Sequence, residues 1–199
     1  MKQSYIDFYG EYSHLIDDNE QSVMAELRRI VDSLTTDPEH APAEHILSRV
    51  KSPESLIAKL RKDGLPETAE AAMENLSDIV GIRVVTHFVG DVYSIAEMIE
   101  KSSCWTVVNK KDYISLPKPN GYRSLHIIIK LNNSMFRTEI QLRTIAMDCW
   151  ASLEHQLKYK KNIGGSVELI VSELKRCADE IASTDLTMQT IRDLIEKQG

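Results

Sequence analysis

Residues 136–143, FRTEIQLR, alternate strictly between apolar and polar types. In an extended strand Phe136, Thr138, Ile140 and Leu142 point to one face, and Arg137, Glu139, Gln141 and Arg143 to the other. Four aligned polar side chains mark either an exposed sheet edge or the wall of a cleft. The run before it bears on that choice. Tyr122, Ser124, His126 and Ile128 share one face, against Arg123, Leu125, Ile127 and Ile129 on the other. If the two strands pair, a carboxylate (Glu139), an amide (Gln141), an imidazole (His126) and a phenol (Tyr122) converge on one surface, as in a site for a polar ligand.

A second set lies upstream. In a strand over 45–51, Arg49 and Lys51 share a face. In the helix that Ser52-Pro53-Glu54 announces, Ser55, Lys59 and Lys62 lie on one stripe, with Arg61 off it. Cations from a strand and from the helix beside it can grip a triphosphate from two sides, and the helix N-terminus adds free N–H groups. Asp78 stands at the entry to an apolar strand. Asp78 and Glu139, together with phosphate oxygens, make a natural Mg²⁺ site, although Asp78 alone is more often a cap. Arg83, a charge within IVGIRVV, requires either a structural carboxylate or a nucleobase on which to stack. His126 and His155 have a hydrogen-bonded structural role as their alternative. His14, His40, His45 and His87 show no metal-binding spacing.

These groups need elements to position them. Residues 5–35 read as helix, broken near Asp17-Asp18-Asn19, followed by a Thr36–Pro42 linker. Strands are expected over 45–51, 79–88, 105–113, 122–131 and 136–143. Helices are expected from Pro53 to about Lys62, over 91–101 and over 144–159, the last with Cys149, Trp150, Leu153 and Leu157 inward. Gly164-Gly165-Ser166 reads as a loop, and 166–198 as a helix whose Leu169, Ile170, Leu174, Ile181, Ile191 and Leu194 are too apolar for water, favouring a subunit contact. The expected class is α+β: a single mixed β-sheet with helices packed on it, flanked by helical arms at 1–40 and 161–199 around a domain at 41–160.

Composition agrees with one real core. Of 199 residues, 42% are hydrophobic and 27% charged, and no apolar run approaches the roughly 20 residues that span a bilayer. Three widely spaced cysteines exclude a disulfide framework and suit a reducing cytoplasm. The net charge of −6 hides a pattern: −6 over 1–40, +3 over 41–62, −6 over 63–108, +6 over 109–161 and −3 over 162–199. Basic blocks inside an acidic body fit a small polyanion in a cleft, such as a nucleotide, rather than a DNA-binding coat.

Several motifs then fall into one register. Asp78-Ile-Val-Gly-Ile-Arg83, Lys111-Asp-Tyr-Ile114, Pro117-Lys-Pro-Asn-Gly-Tyr-Arg-Ser-Leu-His126, Glu139-Ile-Gln-Leu-Arg-Thr144 and Met147-Asp-Cys-Trp-Ala-Ser-Leu-Glu-His155 resemble the synthetase domain of the RelA/SpoT family over about residues 40–160. The small alarmone synthetases carry this nucleotidyltransferase-like domain between short helical arms, and the His-Asp motif of the hydrolase half does not occur here. The resemblance implies transfer of the β,γ-diphosphate of ATP to the 3′-hydroxyl of GDP or GTP, with release of AMP. It implies that Arg49 and Arg83 sandwich the adenine. Lys51, Ser55, Lys59, and Arg61 or Lys62 would hold the ATP phosphates, and Asp78 and Glu139 the Mg²⁺. Tyr122 would stack on guanine, His126 and Lys118 would contact the acceptor, and Gln141 and Arg143 would assist. Glu139 is also the candidate base for the 3′-hydroxyl. Asn109 stands where long bifunctional members place an arginine, which leaves the acceptor open among GMP, GDP and GTP. A homotetramer is the implied assembly. The alternative is a non-catalytic regulator on the same fold that binds nucleotides, or single-stranded RNA through the +6 block.

Overall fold

A computed structural model describes residues 2–37, 41–159 and 167–198. Two helices open the chain, α1 (Lys2–Tyr9) and α2 (Tyr12–Leu34). There follow β1 (Ala43–Val50), α3 (Pro53–Lys62), α4 (Ala69–Asn75), β2 (Val80–Thr86), α5 (Val89–Lys101), β3 (Trp105–Asp112), β4 (Leu125–Leu131), β5 (Thr138–Thr144), α6 (Ile145–Tyr159) and α7 (Val167–Glu196).

The strands form one mixed sheet in the order β1-β2-β5-β4-β3. Only the β2–β5 pair is parallel; β1–β2, β5–β4 and β4–β3 are antiparallel. One face of this sheet is the core. Ile82, Val84, Leu125, Ile127, Ile129, Ile140 and Leu142 are buried there with Val23, Leu27 and Ile30 of α2 and Val92, Ile95 and Ile99 of α5. Transfer of each such side chain from water contributes about 1.5–3 kcal/mol, so α2 and α5 fix that face firmly. On the opposite face α6 packs against β2 and β5, and α7 packs on α6 and α5.

The register puts the polar set on the second face. Across β1–β2, Leu47 lies opposite Arg83 and Arg49 opposite Gly81. Across β2–β5, Gly81 lies opposite Glu139 and Arg83 opposite Gln141; across β5–β4, Gln141 lies opposite His126 and Glu139 opposite Ile128. Directly paired residues share a face. The candidate groups therefore form two adjacent rows, Arg83-Gln141-His126 and Arg49-Gly81-Glu139, and in the second Gly81 leaves the floor without a side chain between Arg49 and Glu139.

Four details differ from the sequence reading. The N-terminal helices part at Gly10, with φ +54, and not at 17–19. Asn19 stays helical and buried because its amide bonds Ser134 and its carbonyl accepts from Thr138 Oγ1 at 2.7 Å. The short helix α4, capped by Thr68, had not been anticipated. Among the described side chains of α6 only Met147 and Trp150 are buried, while Cys149, Leu153 and Leu157 are exposed, as the helix runs beyond the sheet. Tyr122 precedes β4 and sits in a loop. Gly164-Gly165-Ser166 lies outside the described residues. Among the described residues no helix is long and apolar enough to cross a membrane.

Candidate active site

The cationic groups of the first set gather at the β1–α3 turn. Ser52 caps α3, accepting from the Ser55 N–H at 3.3 Å, and Pro53 begins the helix, so its N-terminus opens beside Lys51. Lys51 Nζ and Lys59 Nζ each reach one oxygen of Asp78 at 2.7 Å. Burial alone would push the Asp78 carboxyl up, but the two hydrogen-bonded ammonium groups outweigh it and hold the group below the ordinary carboxylate range. The turn is braced from behind: the Lys51 N–H donates to the Ile79 carbonyl at 2.8 Å, and the buried Tyr9 hydroxyl of α1 donates to the Lys51 carbonyl at 2.9 Å.

Arg49, Lys51, Asp78, Gly81, Arg83, Glu139 and Gln141 line one cleft of about 460 Å³. Glu139 carries two partners: His126 Nδ1 lies 3.0 Å from Oε1, and Gln141 Nε2 donates to Oε2 at 2.7 Å. Burial pushes the Glu139 carboxyl up, yet the His126 contact and the Gln141 amide bring it below its ordinary value, while the negative charge of Asp78 pushes the other way. The two acids thus sense one another across the cleft and both stay ionised at neutral pH.

An aromatic cluster extends from His126. Tyr122 Oη and His126 Nε2 are 2.9 Å apart. The rings of Tyr113, Tyr122 and His126 meet edge to face at 5.2–6.2 Å. Lys118 Nζ stands 4.7 Å over the Tyr122 ring and 4.6 Å over that of Tyr113. Arg143, almost wholly buried, donates to Gln141 Oε1 at 2.6 Å and lies 5.8 Å from the Tyr122 ring centre. Burial pushes the Arg143 guanidinium down from its ordinary value, and the charge of Arg83 adds to that.

Asp148, on the first turn of α6, ties the halves together, 3.1 Å from Arg83 and 3.3 Å from Arg143. These are charge contacts without hydrogen-bond alignment. Buried Nε atoms of Arg83 and Arg143 and Oδ1 of Asp148 have no hydrogen-bond partner. Such unpaired buried atoms are costly in a finished core and suit a site completed by a ligand. Sequence reasoning gave Asp148 no role; its signal was the unpaired charge of Arg83, which called for a carboxylate.

Arg61 turns away, its Nε and Nη2 donating to the two carboxylate oxygens of Glu67 at 2.8–2.9 Å. Lys62 is exposed and does not line the cleft. Asn109 is exposed on β3. Among the described residues no group of three or more His, Cys, Asp and Glu gathers as a metal cage. A cation at Asp78 and Glu139 would therefore need oxygens from a substrate. That is the habit of Mg²⁺, which takes one or two carboxylates and completes its shell with phosphate and water.

A cleft with two ionised acids and flanking cations, and an aromatic cluster joined to it through His126, suits a pair of nucleotides. The model of a family described as "Region found in RelA / SpoT proteins" matches residues 48–164. The chain belongs to the RelA/SpoT family. Within it, the chain is 40% identical over 163 residues to GTP pyrophosphokinase YwaC of Bacillus subtilis, covering 79% of this chain and 77% of that one. It is 33% identical over 165 residues to GTP pyrophosphokinase YjbM of the same organism, covering 80% and 76%. Among solved structures it is similar to small alarmone synthetase 1 of B. subtilis bound to its product pppGpp, with TM-score 0.79, 30% identity and coverage of 91% and 94%. For small alarmone synthetase 2 of that organism the values are 0.77, 36%, 90% and 95%. The single mixed sheet with its helices is the fold of this RelA/SpoT group.

Proposed function

We infer that this RelA/SpoT-family chain is a GTP pyrophosphokinase, an alarmone synthetase that moves the β,γ-diphosphate of ATP onto the 3′-hydroxyl of a guanine nucleotide. The observation that carries the reading is the joint exposure of Asp78 and Glu139 to one cleft with Arg49, Lys51, Arg83 and Gln141. No His-Asp pair of a metal phosphohydrolase occurs in the sequence, so the reading is of synthesis without hydrolysis.

The residues divide the work. Arg49 and Arg83, on adjacent strands, offer guanidinium planes to the adenine. Lys51, Lys59 and the α3 N-terminus at Ser55 receive the phosphates, and Lys51 and Lys59 exchange Asp78 for phosphate oxygens as ATP enters. Tyr122, flanked by His126 and Lys118, stacks the acceptor base, while Gln141 and Arg143 hold the Glu139 side of the cleft. The acceptor 3′-oxygen attacks the β-phosphorus in line, the bond from that phosphorus to the α,β-bridging oxygen breaks, and AMP departs with that oxygen. The 3′-hydroxyl proton passes to Glu139, each of whose oxygens is used once and keeps a lone pair free. Mg²⁺, held between Asp78 and Glu139 when bound, would neutralise charge building on the transferred group. Such transfers depend on positioning and charge neutralisation more than on covalent work by the protein.

Free, exposed Cys104, Cys149 and Cys177 suit a cytoplasmic enzyme. Leu169, Leu186, Leu194 and Ile195 of α7 stand more than half exposed, which supports assembly with further copies, as a homotetramer. Light scattering that finds a monomer at micromolar concentration would overturn the assembly. The activity is tested by incubation with ATP, MgCl₂ and GMP, GDP or GTP in turn. AMP and a guanosine 3′-diphosphate are expected with at least one acceptor; no product with any of them overturns the reading and leaves a binding regulator.

A further inference from the structure

We propose that α7 is part of the acceptor site, where it positions the Tyr122 segment through a clamp on Gly121 and Arg123. The inference deepens the synthetase reading above and rests on it.

Tyr122 lies in a loop, yet both its chain neighbours are fixed to α7. Gly121 has φ +90, a left-handed conformation that favours glycine. A Cβ at that position would stand 2.5 Å from Ala178 Cβ and 3.1 Å from Lys175 Cα, so the loop backbone lies directly on the helix. Ala178 is correspondingly one of two buried residues described on α7. On the other side of Tyr122, Arg123 is 16% exposed and gathers three acceptors: the Gly121 carbonyl at 3.2 Å, the Ala178 carbonyl at 3.4 Å and Asp179 Oδ1 at 3.0 Å. Asp179 is held in turn by Lys175 at 2.7 Å. A third contact comes through α6, where Trp150 Nε1 donates to the Leu174 carbonyl of α7 at 3.0 Å while its ring centre lies 6.5 Å from that of Tyr122.

The physical consequence is selective. A stacking ring on a free loop must be ordered each time a base binds, and that ordering weakens binding. Here α7 has ordered it beforehand. Among the described residues, no hydrogen bond or ion pair joins the donor residues Arg49, Lys51 and Asp78 to α7: Lys51 is held by Asp78, Ile79 and Tyr9. Loosening the clamp should therefore weaken the acceptor and spare ATP, whereas a helix that merely stabilised the fold would affect both.

The test is calorimetric titration of the full chain with GDP and, separately, with a non-hydrolysable ATP analogue, with thermal melting recorded for each variant. Arg123→Ala removes three hydrogen bonds, one of them charge-paired, and should weaken GDP about tenfold while the ATP analogue stays within about twofold. Asp179→Lys, at an exposed helix position, should weaken GDP by about threefold, and Asp179→Glu should retain wild-type binding. Ala178→Leu, which keeps the helix and crowds Gly121, guards against a variant that fails to fold. Unchanged GDP binding in Arg123→Ala and Ala178→Leu, or equal loss of both nucleotides, overturns the clamp. A wild-type chain that binds neither nucleotide overturns the synthetase reading, and the clamp with it.

Discussion

The half of the site proposed for the donor and the half proposed for the acceptor are built from different materials. The donor half is ionic. Its lysines reach Asp78 on long stems and remain 17% and 34% exposed, so water and phosphate can replace their carboxylate partner. The acceptor half is aromatic and closed. Tyr113, Tyr122 and His126 lock edge to face, and Arg143 behind them is almost wholly buried. A polyphosphate that must be gripped, cut and released suits flexible charges. A base that must be held still while its ribose attacks suits a rigid ring. The seam between the halves is Glu139, which His126 touches from the acceptor side and Asp78 influences from the donor side.

The strongest break falls at the seam. Asp78→Asn and Glu139→Gln keep volume and remove charge, so turnover should fall at least about a hundredfold, by analogy with loss of one preorganised electrostatic group. Circular dichroism should stay native, and a variant that keeps more than a tenth of wild-type turnover would remove that acid from the chemistry. Next, Tyr122→Ala tests whether the halves are separable. Loss of one base stack is worth about 1–3 kcal/mol, so the KM for the acceptor should rise about tenfold or more while that for ATP changes little. Equal rises in both would show that the wall serves the whole cleft.

The sequence made the polar face legible because strand alternation is local. Glu139, Gln141 and His126 could be placed on one surface from period two alone, and pairing of β4 with β5 put His126 opposite Gln141. Ser52-Pro53 was legible for the same reason, since caps act within four residues. What escaped depended on distant partners. Arg61 belonged to the phosphate set by proximity, but Glu67, beyond the helix end, turns it outward. Asn19 looked like a helix break until Thr138 and Ser134 bury its amide from more than a hundred residues away. The contacts of Asp148 with Arg83 and Arg143, and of Asp179 on α7 with Arg123, were not legible because each joins residues far apart in the chain.

A control lies outside both halves. Glu26 of α2 bonds Arg29 at 2.7–2.8 Å and accepts from Ser102, the C-cap of α5, at 2.8 Å. Its Arg29 hydrogen bonds are the chief cause that lowers its pKa to about 2. A folded pKa below the unfolded one contributes stability that is present above the ordinary glutamate range and is lost as pH falls through about 2. Glu26→Gln should therefore cost about 1 kcal/mol at pH 7, discounted because Arg29 stands in solvent, and the gap should close on acidification. Denaturant melts at pH 7 and pH 3 measure it, and a gap that widens at low pH would reverse the sign. Neither KM should move.

The finest test asks whether the donor half is propped by α1 as the acceptor half is by α7. Tyr9→Phe keeps the buried ring against Tyr5 and Phe8 and deletes only the hydroxyl bonded to the Lys51 carbonyl. A neutral hydrogen bond contributes about 0.5–1.5 kcal/mol net, so the KM for ATP should rise about threefold. The KM for the acceptor should stay put, because among the described residues no hydrogen bond or ring contact joins Tyr9 to Tyr113, Tyr122 or His126. Steady-state kinetics with each nucleotide varied in turn separates the two. A threefold change in ATP alone would make the arms mirror devices, one for each nucleotide. An unchanged KM for ATP would leave α1 as support for the core, and the donor half would then owe its shape to Asp78 and its two lysines alone.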